Sequence, residues 1–484
     1  MQSGTRVEPP ASTNHFDCGA RSFDDQEMPS PISWSLVCIL AISGLPLVSY
    51  GRDWKIETEG QLGLEGRFIP EAAGQARPSE TWISPLLDLS LKNRRLRRWS
   101  FSARASGQYL VGDSNTIWNK SGSPHYFEEQ ELSLEYRFRR HRFRIGTSTL
   151  RWGILDLYDP LDQVNSRRFE SPISSEKRGD PMLLWQYSKP GRQITSNFEV
   201  FYIPRKKLSI LPSEKSAWLP REVYVPNLSE AEFLLSRELE YRYAGHEERD
   251  SSLSHAFGAR IVFRGDTTES ALQYDEGASG FPNVLPEVTG TVISVPPQSD
   301  RTQIQADPLI KLTEIYYRER HFGGSFTKSF AASLLRLQLA RTERLYAGRD
   351  LARDRTDFTI GYEKSIGSST LLAQIYANLL RLDMKDSRES GNDLASMSSL
   401  FDRALALGWR YPIGDSSSLL IGGLYAPGSQ TDAWTSIIMS SLSLALTDSL
   451  TMDIGLNLIE SGKRGPLSPF ANNDSAQIKL TAIF

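Results

Sequence analysis

The chain has little cysteine, little histidine and only one long apolar run. Its two cysteines, Cys18 and Cys38, both precede residue 52, so the remainder of the chain forms no disulfide and no thiolate metal site. The six histidines match no nucleophile or metal motif, and Gly-rich phosphate loops and CxxC pairs are missing. We therefore predict that the protein is not an enzyme and holds no metal and no cofactor.

An excess of either charge is also missing. The formal net charge is -3, and basic and acidic residues are equal in number after residue 51, so nothing indicates a nucleic-acid partner. Apolar residues make up 39% of the chain and the mean hydropathy is negative, which excludes a bundle of membrane helices. A membrane β-barrel fits this composition, because half of each strand faces water in the lumen.

The single long apolar run covers 35–48. It is too short to span a bilayer as a helix, but it has the length of a signal-peptide core and is followed by small residues. We predict a signal peptide over 28–51, with Met28 as the true start and 1–27 as a non-structural extension. A membrane anchor is the alternative. Residues 52–484 would then form the folded protein.

The sequence contains many segments in which apolar and polar residues alternate with a period of two. From Trp54 to Phe68, even positions are apolar or small and most odd positions are charged, as in a strand with one apolar and one wet face. The last ten residues alternate in the same way. A terminal strand ending in an aromatic residue is typical of outer-membrane barrels, and we expect the barrel-assembly machinery to read its apolar face, namely Ile478, Leu480, Ala482 and Phe484.

We predict an all-β fold: one transmembrane antiparallel β-barrel of about eighteen strands, with sixteen as the alternative. The predicted strands are 54–68, 81–91, 98–111, 126–139, 142–149, 182–188, 194–203, 255–264, 268–276, 311–328, 333–344, 355–364, 370–381, 401–411, 417–426, 432–446, 450–460 and 475–484. Connections after even strands are short, and those after odd strands include every long one. Because bacterial barrels have short periplasmic turns and long extracellular loops, this predicts a protein of the Gram-negative outer membrane. We place 233–243 in a long loop, as a hairpin arm.

The same alternation sorts side chains between lumen and lipid. The candidate pore-lining residues are Arg98, Arg104, Glu135, Arg137, Arg139, Arg142, Arg144, Glu57, Glu59 and Glu65. Facing rows of opposite charge would filter solutes by charge, and the alternative is that these residues only pair with one another. The predicted interface aromatics, at the strand ends, are Trp54, Phe68, Trp99, Tyr109, Trp409 and Tyr411.

The segment 150–181 is the most distinctive loop. Asp156, Asp159 and Asp162 are spaced by three, as oxygen ligands of calcium can be, but the EF-hand pattern and its glycine are missing. We interpret the segment instead as an ordered external loop that folds over or into the pore. Its Trp152-Gly153 pair suits turn and packing chemistry.

A family resemblance begins in this loop and continues into the residues after it. The residues that carry it are Arg151-Trp152-Gly153, Asp156, Pro160, Asp162, Asn165, Pro181, Phe201 to Pro204, Leu211-Pro212 and Trp218. This signature, over about 120–280, resembles poorly characterised proteobacterial outer-membrane β-barrels that carry a domain of unknown function and are placed near porins and alginate-export barrels. Members continue the asparagine with Pro-Arg-Asp, whereas this chain has Ser166-Arg167-Arg168. The resemblance implies a membrane barrel and transport of hydrophobic or amphiphilic compounds alongside envelope partners.

The function predicted from the sequence is a porin-like channel for diffusion of small polar or amphiphilic solutes. One alternative is a barrel that is closed alone and serves an export or lipid-transfer system with periplasmic partners. Another is an enzyme with a site at the barrel rim, for which His125 or His246 would serve. The expected partners are outer-membrane lipid, the barrel-assembly machinery and periplasmic proteins.

Overall fold

A computed structural model describes most of the chain after residue 53. The described residues are 54–68, 80–93, 98–111, 125–155, 158–171, 174–212, 214, 218, 231–235, 240–294, 302–345, 354–380, 401–428, 432–462, 465–471 and 473–484. The extension over 1–27 and the signal peptide over 28–51 lie outside these residues and stay predictions. No helix in the described ranges is long and apolar enough to cross a bilayer.

Eighteen strands form one continuous antiparallel sheet. They are β1 (Trp54–Phe68), β2 (Glu80–Asn93), β3 (Trp99–Val111), β4 (His125–Phe138), β5 (His141–Ser148), β8 (Asp180–Lys189), β9 (Thr195–Arg205), β12 (Ser254–Arg264), β13 (Thr268–Ala278), β16 (Arg318–Ser329), β17 (Ser333–Arg344), β18 (Arg355–Ile366), β19 (Ser369–Asn378), β20 (Arg403–Ile413), β21 (Ser417–Pro427), β22 (Trp434–Thr447), β23 (Leu450–Ser461) and β24 (Ser475–Ile483). Because β1 pairs with both β2 and β24, the sheet is a closed barrel. The predicted eighteen-strand barrel is confirmed.

The barrel closes where the chain ends. Gly60 and Phe484 exchange two backbone hydrogen bonds of 2.9 Å. The Phe484 ring covers Gly60 so closely that a Cβ on that glycine would lie 2.3 Å from the ring. The glycine at position 60 lets the terminal aromatic ring lie against the backbone of β1, and a larger residue there would displace the ring.

The connections alternate in length around the barrel, as predicted. At one end the strands are joined by short connections, at 94–98, 139–140, 190–194, 265–267, 330–332, 367–368, 414–416 and 448–449. The other end has every long connection, at 149–179, 206–253, 279–317 and 379–402. Short turns mark the periplasmic end of a bacterial barrel and long loops the extracellular end.

The two faces of the wall differ in chemistry. Along β17, inward Gln338 is 1% exposed while outward Leu339 is 49% exposed, and similar alternation recurs around the barrel. Large exposed hydrophobic side chains lie on the outward face, and buried polar side chains line the interior. This is the pattern of a barrel that meets hydrocarbon outside and water inside.

A second, smaller sheet lies in the long loops. Its strands are β10 (Ala231–Leu235), β11 (Glu240–Glu248), β14 (Asn283–Ser294) and β15 (Thr302–Tyr316). β10 and β11 both run parallel to β15, and β14 pairs antiparallel with its other edge. Two further short strands, β6 (Arg167–Ser171) and β7 (Ser174–Lys177), pair with each other, and a 3-10 turn covers Ser468–Phe470.

This sheet corrects two sequence predictions. The predicted strand 311–328 is two elements, because β15 belongs to the loop sheet and β16 begins the barrel strand at Arg318. From Glu314 to Tyr317 four consecutive side chains are buried, so both faces of the chain are covered there and no alternation marks the break. The segment 233–243 does lie outside the barrel, but the hairpin is wrong, because each part pairs with β15 instead.

Candidate functional site in the barrel lumen

A loop from the extracellular end enters the barrel, and we call residues 149–166 the lumen loop. Trp152 anchors it to one wall: its ring lies 5.2 Å from that of Phe201, and its Nε1 donates a hydrogen bond of 2.9 Å to Glu199. Buried apolar side chains surround this contact, namely Leu150, Val164, Met182, Leu184, Ile203 and Ala256. Part of the lumen face of β8, β9 and β12 is thus a hydrophobic core covered by the loop.

Asp159 shapes the tip of the lumen loop. Its Oδ2 accepts hydrogen bonds from the backbone N–H groups of Ile154 (2.5 Å) and Leu155 (2.8 Å), and its Oδ1 accepts one from Leu161 (3.0 Å). A Cβ on Gly153 would lie 2.3 Å from the same carboxylate, so glycine permits the close approach. Burial raises the pKa of Asp159. Asp159 therefore fixes the backbone of the loop tip through its three hydrogen bonds.

The base of the lumen loop is held by Asp180, which is 0% exposed. Its carboxylate accepts hydrogen bonds from Asn165 Nδ2 (3.2 Å), from the N–H (2.8 Å) and hydroxyl (2.9 Å) of Ser166, and from the Lys207 N–H (2.7 Å). The side-chain oxygen of Asn165 in turn accepts from the Leu150 N–H at 2.7 Å. A buried carboxylate with this many donors fixes both ends of the loop together.

Asp162 also holds the lumen loop in place, after Asp159 and Asp180. It accepts a hydrogen bond from Lys177 Nζ and one of 3.1 Å from the Trp152 N–H, and Arg167 lies 3.7 Å away. Burial alone would raise the pKa of Asp162, but the cations of Lys177 and Arg167 outweigh it and hold that pKa below its usual range. Asp156 lies outside the described residues, and the described ones contain no acidic or histidine cluster suited to a metal ion.

The tip of the lumen loop contacts strands further along the same side of the wall. Three inward-facing glutamines donate to it: Gln273 to the Leu161 carbonyl (2.7 Å), Gln338 to Asp159 (3.0 Å) and Gln374 to the Tyr158 carbonyl (2.7 Å). Arg355 also donates to the Tyr158 hydroxyl at 2.8 Å. Trp152 thus contacts β9, and Tyr158 contacts β18 and β19. The lumen loop therefore lies against the inner face of seven consecutive wall strands, from β9 to β19.

An opening of about 380 Å³ remains beside the tip of the lumen loop. Its lining includes Leu155 of the loop and inward-facing Leu372, Leu420, Met439, Arg336, Glu363, Gln374, Arg410, Asn457 and Gln477. Arg336 pairs with Glu363. Arg410 is exposed and makes no ion pair with any described residue. The opening thus combines an aliphatic side with one unpaired cation.

Four of the predicted pore-lining residues form one cluster on β4 and β5. The Glu135 side chain is 4% exposed. Its carboxylate forms ion pairs with Arg137 Nε at 2.6 Å, with Arg144 at 3.1 Å and with Arg142. One carboxylate thus holds three guanidinium groups, so pairing and excess positive charge coexist in the same cluster.

The other predicted pore-lining residues are placed separately. Glu65 lies 3.4 Å from Arg67, and the strand register sets Arg104 opposite both Asp88 and Glu131. Arg98 and Arg139 lie at the turn end, where both guanidinium groups approach the ring of Phe138. The side chains of Glu57 and Glu59 lie outside the described part of the structure.

The predicted girdle aromatics lie on the outward face. Phe68, Trp99, Tyr109, Trp409 and Tyr411 are all exposed, whereas the side chain of Trp54 is not among those described. In the terminal strand, Ile478 and Phe484 are likewise exposed outward.

The sequence does not predict that the loop between β9 and β12 contacts the distant strands β22 and β23. Its Trp218 is buried against the wall on the other side, packing on Ile437 and Ile459 together with Leu467 and Phe470. The resemblance includes Trp218, but no local pattern indicates which strands it meets. This contact carries a second loop across the extracellular mouth.

No protein-family model matches the chain, and no curated protein matches it. Similar solved structures include OccAB4 of Acinetobacter baumannii (TM-score 0.48, 9% identity, 90% of this chain and 99% of that chain) and OccK5 (OpdH) of Pseudomonas aeruginosa (0.47, 10%, 89% and 97%). An anion-selective porin from Comamonas acidovorans is also similar (0.40, 9%, 89% and 100%). The barrel itself rests on its strand pairings, and its apolar outer face places the protein in the bacterial outer membrane.

Proposed function

We propose that this protein is a porin-like channel through which small polar or amphiphilic solutes diffuse across the outer membrane. The observation that carries the proposal is the lumen loop, which folds into a closed barrel wide enough for an aqueous lumen, covers one side of its wall and leaves an opening beside Leu155. A loop fastened along the inner wall narrows a pore without a chemical step.

Two facing parts of the lumen wall differ in polarity, and this difference favours amphiphilic solutes. Six inward positions on β20 to β22 are small or aliphatic, namely Ala404, Ala406, Gly408, Leu420, Gly422 and Met439, and Arg410 is the cation among them. Across the barrel, β4 and β5 present the Glu135 cluster with its three arginines. A solute with an apolar side and a charged group would meet a matching surface on each wall.

The resemblance to uncharacterised proteobacterial barrels belongs to this proposal. Its residues Trp152, Asp162 and Asn165 are those that build the lumen loop here. We therefore infer that the signature residues serve to fold a loop into the lumen. We also infer that this chain is a member of that family.

Single-channel recording in planar bilayers tests the proposal. We expect purified wild-type protein to give discrete conductance steps, and we expect bulky additions at the lumen loop, such as Leu155→Trp, to reduce them. Leu183→Trp on the outward face of β8 is the matched control and should leave the steps unchanged. Absence of current from folded protein over a range of voltages and salts would refute a free channel.

A barrel that is closed alone and opened by a partner is the second candidate. The observation that favours it is the burial of Trp218 on the far wall, which carries a second loop across the mouth. Trp218→Ala should then open a channel that is silent in wild type. Equal conductance in both proteins would remove this candidate.

A further inference from the structure

Three consecutive turns at the periplasmic end form what we call the basic arc. They are the turns between β2 and β3, β4 and β5, and β8 and β9, which follow one another around the barrel. Their exposed cations are Arg98, Arg139, Arg140, Lys189 and Arg192. None of these five makes an ion pair with a residue that the structure describes.

The other turns at this end of the barrel carry a negative charge or no charge. The turns at 265–267, 414–416 and 448–449 each contain an aspartate, Asp266, Asp415 and Asp448, and no arginine or lysine. The turns at 330–332 and 367–368 carry no charge. Near these other turns Arg264 is paired with Glu269, and Lys328 and Lys364 lie on separate strands. The clustered positive charge of the rim is therefore on the side of the basic arc.

The cations of the basic arc lie beside the outward face of the wall. The guanidinium carbons of Arg98 and Arg139 lie 5.7 and 5.3 Å from the centre of the Phe138 ring, which is exposed outward. Nearby, outward-facing Trp99 and Tyr136 pack with ring centres 4.6 Å apart. Because such aromatic residues mark the membrane interface, these guanidinium groups lie at the height of lipid headgroups.

The backbone of Arg139 gives a second observation. Its φ is 55°, in the left-handed region that favours glycine, and the turns at 367–368 and 414–416 have glycines there, Gly367 (φ 59°) and Gly414 (φ 65°). Arginine is disfavoured at such a position by its Cβ. Its presence inside the basic arc points to a use for the charge.

We propose that the basic arc is a binding site for anionic phospholipid of the periplasmic leaflet. Phosphate oxygens accept hydrogen bonds from guanidinium groups in paired geometry, and the lipid chains would lie along the aromatic girdle below. An acidic periplasmic protein is a different partner. We favour the lipid because Arg98 and Arg139 are turned toward the lipid-facing ring of Phe138.

Native mass spectrometry tests this proposal on the full folded barrel. The protein is equilibrated in detergent with equal phosphatidylglycerol and phosphatidylethanolamine, and the bound lipids are counted. The variant Arg98→Gln/Arg139→Gly/Arg140→Gln removes three cations and places a glycine at position 139, where φ is positive. Since each surface cation contributes about fivefold to affinity for anionic lipid, we expect the loss of three cations to weaken phosphatidylglycerol binding by about a hundredfold.

The control is Lys328→Gln/Lys364→Gln, which removes two cations from the same end on β16 and β18. We expect it to change phosphatidylglycerol binding by less than about threefold, because those lysines form no cluster. Both variants are checked for heat-dependent mobility of the folded barrel in gels. A triple variant that retains wild-type lipid preference would overturn the proposal, as would an equal loss in the control. If the arc instead binds an acidic protein, the lipid preference will not change.

Discussion

The side chain of Leu155 occupies the space that a side chain at Gly361 would need. A Cβ built on Gly361 would lie 2.6 Å from Leu155 Cδ2, so loop and wall are in direct contact at the edge of the opening. We expect Leu155→Ala to enlarge the opening and raise single-channel conductance. Leu339→Ala, which faces lipid on β17, serves as control and should leave conductance unchanged. Equal conductance in wild type and Leu155→Ala would place the constriction elsewhere.

Trp152 should dominate the stability of the lumen loop. Trp152→Ala removes a buried ring and its hydrogen bond to Glu199, for an expected loss of about 3–5 kcal/mol in the free energy of unfolding. Trp152→Phe keeps most of the ring and leaves Glu199 with Gln186, so it should cost about 1–2 kcal/mol. Denaturant unfolding in detergent micelles measures both. Similar losses in the two variants would mean that the ring contributes little.

Acid should loosen the lumen loop through Asp162. Because Lys177 and Arg167 hold the pKa of Asp162 below its usual range, its contribution to stability is present above the unfolded pKa of about 3.9 and is lost as pH falls through the folded value. Recordings from pH 7 to pH 3 should therefore become noisier only at the acid end. Asp162→Asn should show that noise already at pH 7. A variant as quiet as wild type at neutral pH would exclude this mechanism.

Glu135 should set the charge balance of the lumen. Glu135→Gln leaves Arg137, Arg142 and Arg144 without their shared carboxylate, so the pore should become more selective for anions. The measurement is the reversal potential in a salt gradient. Glu65→Gln, which disturbs a single pair with Arg67, should cause a smaller change. An unchanged reversal potential in Glu135→Gln would place that cluster outside the conduction path.

Phe484 should matter for assembly as well as for closure of the barrel. It is 81% exposed, and its ring covers Gly60 across the seam. We propose that the barrel-assembly machinery recognises it, so Phe484→Ser should lower the amount of folded barrel in membranes. Gly60→Ala disturbs the same seam from the other strand and separates closure from recognition. Normal assembly of Phe484→Ser would argue against recognition.

The barrel could be predicted because each wall strand carries its own signal. In β1 and β24 alternate side chains face lipid and lumen, so a period of two is visible without knowledge of the neighbouring strands. The loop sheet gives no such signal, since Glu314 to Tyr317 are buried on both faces. Two of its strands, β10 and β11, pair in parallel with β15 over long sequence separations, and local patterns do not encode which strand is the partner.

The site could be predicted only in part for the same reason. Trp152 and Asp162 stood out by residue type, but their roles depend on Glu199 and Lys177, which lie far from them in sequence or on another element. Alternation also assigned Arg139 to the lumen, whereas the turn places it beside Phe138. Turn residues do not follow the strand period.

Thiol blocking of a cysteine placed at Leu155 tests most directly whether solutes pass beside the lumen loop. The chain contains no cysteine after residue 51, so Leu155→Cys would be the single reactive thiol there. A charged, water-soluble methanethiosulfonate reagent should reduce the single-channel current of this variant in one step and leave wild type unchanged. A current that persists undiminished after complete labelling would contradict the account.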